Sequence, residues 1–325
     1  MPRFQVLLTD YAWPEIDIER ETLREIDAEL IVPPDTQPAT LARLATSADA
    51  IMTCWAQVSA SVIDAGPRLK IVSRLGIGLD NIDVARCTQL GIPVTNVPDY
   101  CLIEVAEHTL AILLALGRNI GHYHHATQSG TYQLQSGPEL RRLEGQTLGI
   151  FGYGNIGQKL AQKALALGLR VLVNSRTRRE LPPGAAWAAI PELLRNSDYV
   201  SLHVPLTPET RDMISGPELA QMKPTAFLIN TSRGGLVDHA ALAAALAANK
   251  IAGAGLDVQV PEPPDLTQAP YNDPRVIVTP HAAFVSRESL ANLRSRAARQ
   301  VADRLTGKTP ENVVNPQTLG AGGHS

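Results

Sequence analysis

Six short, largely apolar runs follow one another along this chain, at residues 147–151, 170–174, 199–202, 226–230, 253–257 and 276–279. They are continuous rather than alternating in hydrophobicity, as strands are when helices cover both faces of a parallel sheet. Stretches of helical character separate them at 156–168, 217–222 and 238–248. The first third repeats the rhythm, with strand-like runs at 5–9, 50–53 and 69–72 and helical stretches at 19–30 and 59–65. Pro33-Pro34 and Gly66-Pro67 punctuate it. The fold class this implies is α/β, doubly wound on parallel sheets. The i, i+3, i+4 spacing of Leu102, Val105, Ala106, Thr109, Leu110, Leu113 and Leu114 predicts one long helix over 99–119. The polar stretch 121–145 is long for a loop and reads as an arm. A helix over 287–305 closes the pattern.

At 325 residues the chain suits about two domains of roughly 150 residues each. Hydrophobic residues make up 44% and charged residues 19%, enough for a full core. Aromatics are only 4%, so Ala, Leu, Ile and Val must build that core. A net charge of −3 gives no general attraction to nucleic acid or to an anionic membrane, and neither is expected as a partner. Cys54, Cys87 and Cys101 are odd in number and fit neither a disulfide framework nor a zinc site. His122, Tyr123, His124 and His125 lack strong ligand spacing, and no metal is expected. The opening MPRFQVLLTD has no signal-peptide pattern, and no run approaches a membrane span, so a cytoplasmic location is expected.

Gly152, Gly154 and Gly157 form a G-x-G-x-x-G directly after one predicted strand and at the opening of a helix. That context separates a dinucleotide turn from a chance glycine cluster. Gly152 permits the tight turn, Gly154 lets the backbone approach a pyrophosphate, and Gly157 lets helix and strand pack closely. Asn155 and Ile156 offer helix N-terminal N–H groups to the phosphates. About 20 residues further on, an NAD site usually carries an acid for the ribose hydroxyls. Here Ser175 stands there, followed by Arg176, Thr177, Arg178 and Arg179. A hydroxyl and several guanidinium groups suit a 2′-phosphate, so NADP(H) is expected over NAD(H).

Three further residues lie at predicted strand ends, where open parallel sheets bind ligands: Arg233, Glu262 and His281. Reducing a ketone needs a proton donor that titrates near neutral pH, which His281 supplies. A carboxylate on the other ring nitrogen, Glu262, would fix its tautomer. A permanent cation, Arg233, would polarise the carbonyl and pair with a substrate carboxylate.

These motifs, with RLGIGLDNID at 74–83, GIPVTNVP at 91–98, SLHVPLTPET at 201–210, INTSRGGLVD at 229–238, GAGLDV at 253–258 and TPHA at 279–282, resemble the D-isomer-specific 2-hydroxyacid dehydrogenases over nearly the whole chain. The resemblance implies a Rossmann nucleotide-binding domain, residues 100–286, inserted into a flavodoxin-like substrate domain made of 1–99 and 287–325. It implies that Arg233, Glu262 and His281 are catalytic, with Arg233 and His281 also on the substrate. His203, Val204 and Pro205 would lie under the adenosine, with Thr210 nearby, and Thr231, Ser232 and Asp257 would flank the nicotinamide. The backbone of Leu75, Gly76, Ile77 and Gly78 would hold the substrate carboxylate, its glycines letting successive N–H groups face one anion. The long helix and the arm would make a homodimer. Glyoxylate or hydroxypyruvate reduction to the D-2-hydroxy acid with NADPH is the activity expected. The alternatives are an NAD-dependent D-2-hydroxyacid or phosphoglycerate dehydrogenase, and a dinucleotide-sensing, corepressor-like binding protein. Residues 52–57 carry no base for a phosphate, which disfavours phosphoglycerate, and Glu262 stands where formate dehydrogenases carry Gln. Trp55 in that run suits either a pocket wall or the core.

Overall fold

The apolar runs become strands, and every ladder between them is parallel. The computed structural model describes residues 2–320 and separates into two units. One runs to Tyr100 and resumes at Ser286; the other is Cys101–Val285.

The first unit comprises β1 (Phe4–Leu8), α1 (Asp17–Arg24), β2 (Ala28–Ile31), α2 (Pro38–Ala45), β3 (Ala50–Thr53), α3 (Ala60–Asp64), β4 (Ile71–Arg74), α4 (Val84–Gln89) and β5 (Val94–Thr95). Its sheet order is β2-β1-β3-β4-β5, the flavodoxin-like doubly wound order. A closing helix, Arg287–Leu305, belongs to this unit by burial. Its Leu293, Ala297, Ala298, Val301 and Leu305 share a core with Val6, Leu8, Met52 and Ile71. Each fully buried Leu or Val there contributes roughly 1.5–3 kcal/mol. Arg294 clamps the same helix to Glu15 and Glu19, at 2.8 Å each.

The helix expected over 19–30 is corrected: α1 ends at Arg24 and β2 begins at Ala28. Leu23, Ile26 and Leu30 keep helical spacing, but Asp27 takes a left-handed φ of +56° and turns the chain. Leu30 then registers with Val6 on the sheet edge. An edge strand exposes enough of its surface that such a pattern reads either way.

The second unit comprises α5 (Leu102–Gly117), α6 (Ile120–Gln128), β6 (Thr147–Phe151), α7 (Asn155–Ala166), β7 (Arg170–Asn174), β8 (Ala185–Trp187), α8 (Ile190–Asn196), β9 (Tyr199–Leu202), α9 (Gly216–Leu219), β10 (Phe227–Asn230), α10 (His239–Ala247), β11 (Gly253–Leu256) and β12 (Val276–Val278). The sheet order is β12-β11-β10-β9-β6-β7-β8. Its first six strands in sequence run 3-2-1-4-5-6, the Rossmann order, and β12 extends the edge. Separate apolar cores cover the two faces. At Gly255 in β11 a Cβ would collide with Ile112, so that glycine lets α5 lie close on the sheet.

The stretch expected as a polar arm contains α6, set off from α5 by a left-handed Asn119 with φ +51°. Ile120, Tyr132 and Leu134 along it are strongly exposed. Among the described residues, no helix is long and apolar enough to cross a membrane.

Candidate active site

The turn after β6 shows why it is built of glycine. Gly152 has φ +92°, and a Cβ there would collide with the His203 carbonyl. A Cβ on Gly157 would collide with the Gly152 carbonyl. Gly154, the N-cap of α7, meets nothing within 4 Å and faces open space. The turn is thus closed on its protein side and open where a ligand's phosphates would come, against the N–H groups of Asn155, Ile156 and Gly157 at the helix start. This arrangement fits a dinucleotide.

Two neighbouring segments frame that opening. His203 donates its N–H to the Phe151 carbonyl at 2.7 Å, which brings Val204 and Pro205 alongside the glycine turn. The Thr210 hydroxyl donates to the Pro205 carbonyl at 2.7 Å and accepts the Thr207 N–H at 2.8 Å, fixing the loop. The His203 ring contacts Ser201 Oγ at 2.9 Å, and burial pushes its imidazole down to about 4. Beyond β7, Ser175 is half-buried, while Arg176, Thr177 and Arg178 are exposed. The Arg178 guanidinium lies 5.8 Å from the Trp187 ring centroid. Thr207, Glu209's own backbone and the Arg176 charge, in that order, hold the Glu209 carboxyl below its ordinary value.

Farther along the same strand ends lie the three residues expected to do chemistry. His281 Nδ1 and Glu262 Oε2 are 2.8 Å apart. The other Glu262 oxygen accepts the Gln259 N–H at 2.9 Å. Burial works to raise the Glu262 carboxyl, but His281, the Gln259 N–H and the Arg233 charge outweigh it and hold it below its ordinary value. Arg233 follows β10 and sends Nη1 to the Ser232 carbonyl at 2.8 Å. The Asn230 side chain closes this turn, donating to the Arg233 carbonyl at 2.8 Å.

Asp257 is fully buried, and its carboxylate is hydrogen-bonded inside the protein. It accepts the Thr279 hydroxyl at 2.6 Å and the N–H groups of Ala282 and Ala283 at 2.8 and 3.0 Å. Its carbonyl accepts the His281 N–H at 2.8 Å. Burial raises its carboxyl, and the hydrogen bonds from His108, Thr279, Ala283 and Ala282 outweigh that and lower it. Together these bonds hold the turn on which His281 adopts φ +51°, a conformation a side chain rarely takes unaided. Thr231 likewise spends its hydroxyl internally, 2.8 Å from that of Thr109, and Ser232 donates to the Val204 carbonyl at 2.7 Å.

In the first unit, the loop after β4 carries the residues expected to hold a carboxylate. The Leu75 N–H goes to the Thr53 carbonyl at 2.8 Å, and its side chain is buried. The carbonyls of Gly76 and Ile77 accept from the Val97 N–H and the Asn96 side chain. Trp55 is 41% exposed and so is not a core residue.

Sequence reasoning missed Gln259 and His108. Buried Gln259 donates from its side chain to the Leu256 and Thr279 carbonyls at 3.0 and 3.1 Å, stitching the ends of β11 and β12 together. His108 reaches Thr279 Oγ1 at 3.1 Å. The one available signal was a polar residue amid apolar spacing on α5.

Known proteins resemble this chain over most of its length. The family profile described as "D-isomer specific 2-hydroxyacid dehydrogenase, NAD binding domain" matches residues 110–283. A glyoxylate reductase of Aeropyrum pernix is 38% identical over 293 residues, covering 86% of this chain and 87% of its own. The structure of D-lactate dehydrogenase from Aquifex aeolicus, complexed with NAD and lactic acid, superposes with a TM-score of 0.87 at 30% identity, covering 95% of this chain and 99% of that one. A glyoxylate reductase from Paecilomyes thermophila superposes with a TM-score of 0.85 at 28% identity, covering 98% and 100%. The chain therefore belongs to the D-isomer-specific 2-hydroxyacid dehydrogenase family and is a nicotinamide-dinucleotide-dependent oxidoreductase.

Proposed function

We propose that this chain reduces a small 2-keto acid of the glyoxylate or hydroxypyruvate type to the D-2-hydroxy acid, with NADPH preferred over NADH. The observation that carries the reading is the 2.8 Å contact between His281 Nδ1 and Glu262 on a turn anchored by Asp257. When bound, the reduced nicotinamide supplies the hydride that C2 of the keto acid takes up.

The chain's own groups then have distinct tasks. Glu262 accepts the hydrogen bond from Nδ1 of His281, so Nε2 is the nitrogen that delivers a proton to the carbonyl oxygen as negative charge grows there. Arg233 pairs with the substrate carboxylate and polarises the carbonyl. In the first unit, the amides of Gly76, Ile77 and Gly78 suit a substrate carboxylate. Gly152, Gly154, Asn155, Ile156 and Gly157 take the pyrophosphate, and Val204, Pro205 and Thr210 border the adenosine. The Ser175 hydroxyl with Arg176, Thr177 and Arg178 receives the 2′-phosphate, in a stretch that offers no carboxylate before Glu180.

The exposed Ile120, Tyr132 and Leu134 support a homodimer formed through α5 and the arm. Light scattering after size exclusion tests it: twice the chain mass is expected, and one chain mass at micromolar concentration contradicts it. For the activity, a panel of 2-keto acids is offered with NADPH and the product is resolved on a chiral column. A D-2-hydroxy acid is expected; NADPH left unoxidised by every member of the panel overturns the reading.

A further inference from the structure

Arg233 and Glu262 sit on two segments with little regular structure, and they must stay in register for the chemistry proposed above. The segments approach closely at Gly234, where a Cβ would collide with the Gln259 backbone carbonyl. Gln259 is also the residue whose N–H binds Glu262. Beyond that point, residues 260–266 are largely exposed, Val260 at 53% and Leu266 at 60%.

A second connection lies farther out. His239, the first residue of α10, places Nε2 3.2 Å from the Gly234 carbonyl. Its Nδ1 lies 2.8 Å from the hydroxyl of Tyr271, at the far end of the Glu262 loop. The same hydroxyl is within 3.5 Å of the Val260 carbonyl. A carbonyl only accepts, so Nε2 carries the proton, and Nδ1 is left to accept from the tyrosine. Burial lowers the His239 imidazole below its ordinary value, ahead of the opposing Gly234 bond and the charges of Asp238 and Asp212, which agrees with a neutral ring.

Resting on the reading above, we infer that His239 and Tyr271 are a pair of positioning residues that tie the loop bearing Glu262 to the turn bearing Arg233. Neither touches the reacting atoms. The imidazole bridges a main-chain carbonyl on one segment and a side-chain hydroxyl from the other, so the loop can swing only by breaking a hydrogen bond. The charged groups that face Glu262 itself are His281 and Arg233. Losing the tie lets Glu262 drift from His281, so its carboxylate supports the imidazolium less.

Tyr271→Phe removes the hydroxyl and keeps the ring; His239→Gln is the second variant, against loss of folding in the first. Two readouts are taken on the full chain. In hydrogen exchange without ligands, amides of 258–265 should exchange about fivefold faster in each variant, with those of α10 and β11 unchanged. In reduction of glyoxylate, kcat should fall about tenfold with KM within about twofold, and the alkaline limb of the pH profile should move to lower pH. A limb shift distinguishes a misplaced Glu262 from a general loss of stability. Wild-type exchange rates in the loop, or a normal pH profile with normal kcat, overturn the tie. If the wild-type chain reduces no 2-keto acid, the functional reading fails, and the exchange experiment still decides the tie.

Discussion

The turn after β6 and the turn after β12 lie on one sheet and are built by opposite means. The first is shaped by atoms that are missing: Gly152 and Gly157 have no room for a Cβ, and Gly154 leaves open space. The second is shaped by atoms that are added, since Asp257 gathers Thr279, Ala282 and Ala283 so that His281 can hold φ +51°. A turn made by omission shows its glycines as a motif in local sequence, even where, as at Gly152, the crowding atom is the distant His203 carbonyl. A turn made by a buried carboxylate needs partners 22 to 26 positions away.

The largest effect expected on the second turn is chemical. His281→Ala should lower kcat about a thousandfold while the NADPH dissociation constant, read by fluorescence titration, stays within about twofold. Near-normal turnover would remove His281 from the chemistry. Next comes its scaffold. Asp257→Ala strands the buried Ala283 N–H and the part-buried Ala282 N–H at about 1–3 kcal/mol each, so urea denaturation should show a loss of roughly 2–6 kcal/mol. An unchanged midpoint would mean that the carboxylate does not hold the turn.

The glycine turn is sharpened by two substitutions of the same size. Gly157→Ala drives a methyl into the Gly152 carbonyl and should cost about 1–3 kcal/mol of stability. Gly154→Ala meets nothing in the protein, so stability should hold while NADPH binding weakens, because the methyl stands where the pyrophosphate comes. Equal effects of the two on melting temperature would break the distinction between the closed and open sides.

The smallest effect is on pH dependence. His203 titrates at about 4 in the folded chain against an ordinary value of 6.5. As pH falls below 6.5 the unfolded chain takes up the proton first, so this contribution to stability is whole above 6.5 and is lost on the way to about 4. Melting curves between pH 7.5 and 4.5 should therefore fall less steeply for His203→Asn than for wild type. Parallel curves would contradict the neutral imidazole.

The same contrast explains what could be read in the sequence. Parallel strands covered on both faces announce themselves as apolar runs, and Thr147–Phe151 and Arg170–Asn174 have the bounds that hydrophobicity alone suggests. The short β8, Ala-Ala-Trp, carries no such pattern and was not anticipated, nor was edge strand β2. The glycines and the strand-end Arg233, Glu262 and His281 stand out in the sequence because their types are unusual where they stand. The commitment of Asp257 and the Leu75 N–H to the protein interior does not, since each depends on a partner brought near only by the fold. His239 and Tyr271, 32 positions apart, are separately unremarked residues whose contact appears only when two loops meet.

The decisive measurement is kcat/KM of the unmodified chain for glyoxylate reduction with NADPH and with NADH, side by side. Turnover is expected with both, with a preference for NADPH of about tenfold or more, from the charge-assisted hydrogen bonds that Ser175, Arg176 and Arg178 would offer a 2′-phosphate. Preference for NADH would contradict the cofactor assignment, and the absence of turnover with either on any 2-keto acid would contradict the reaction.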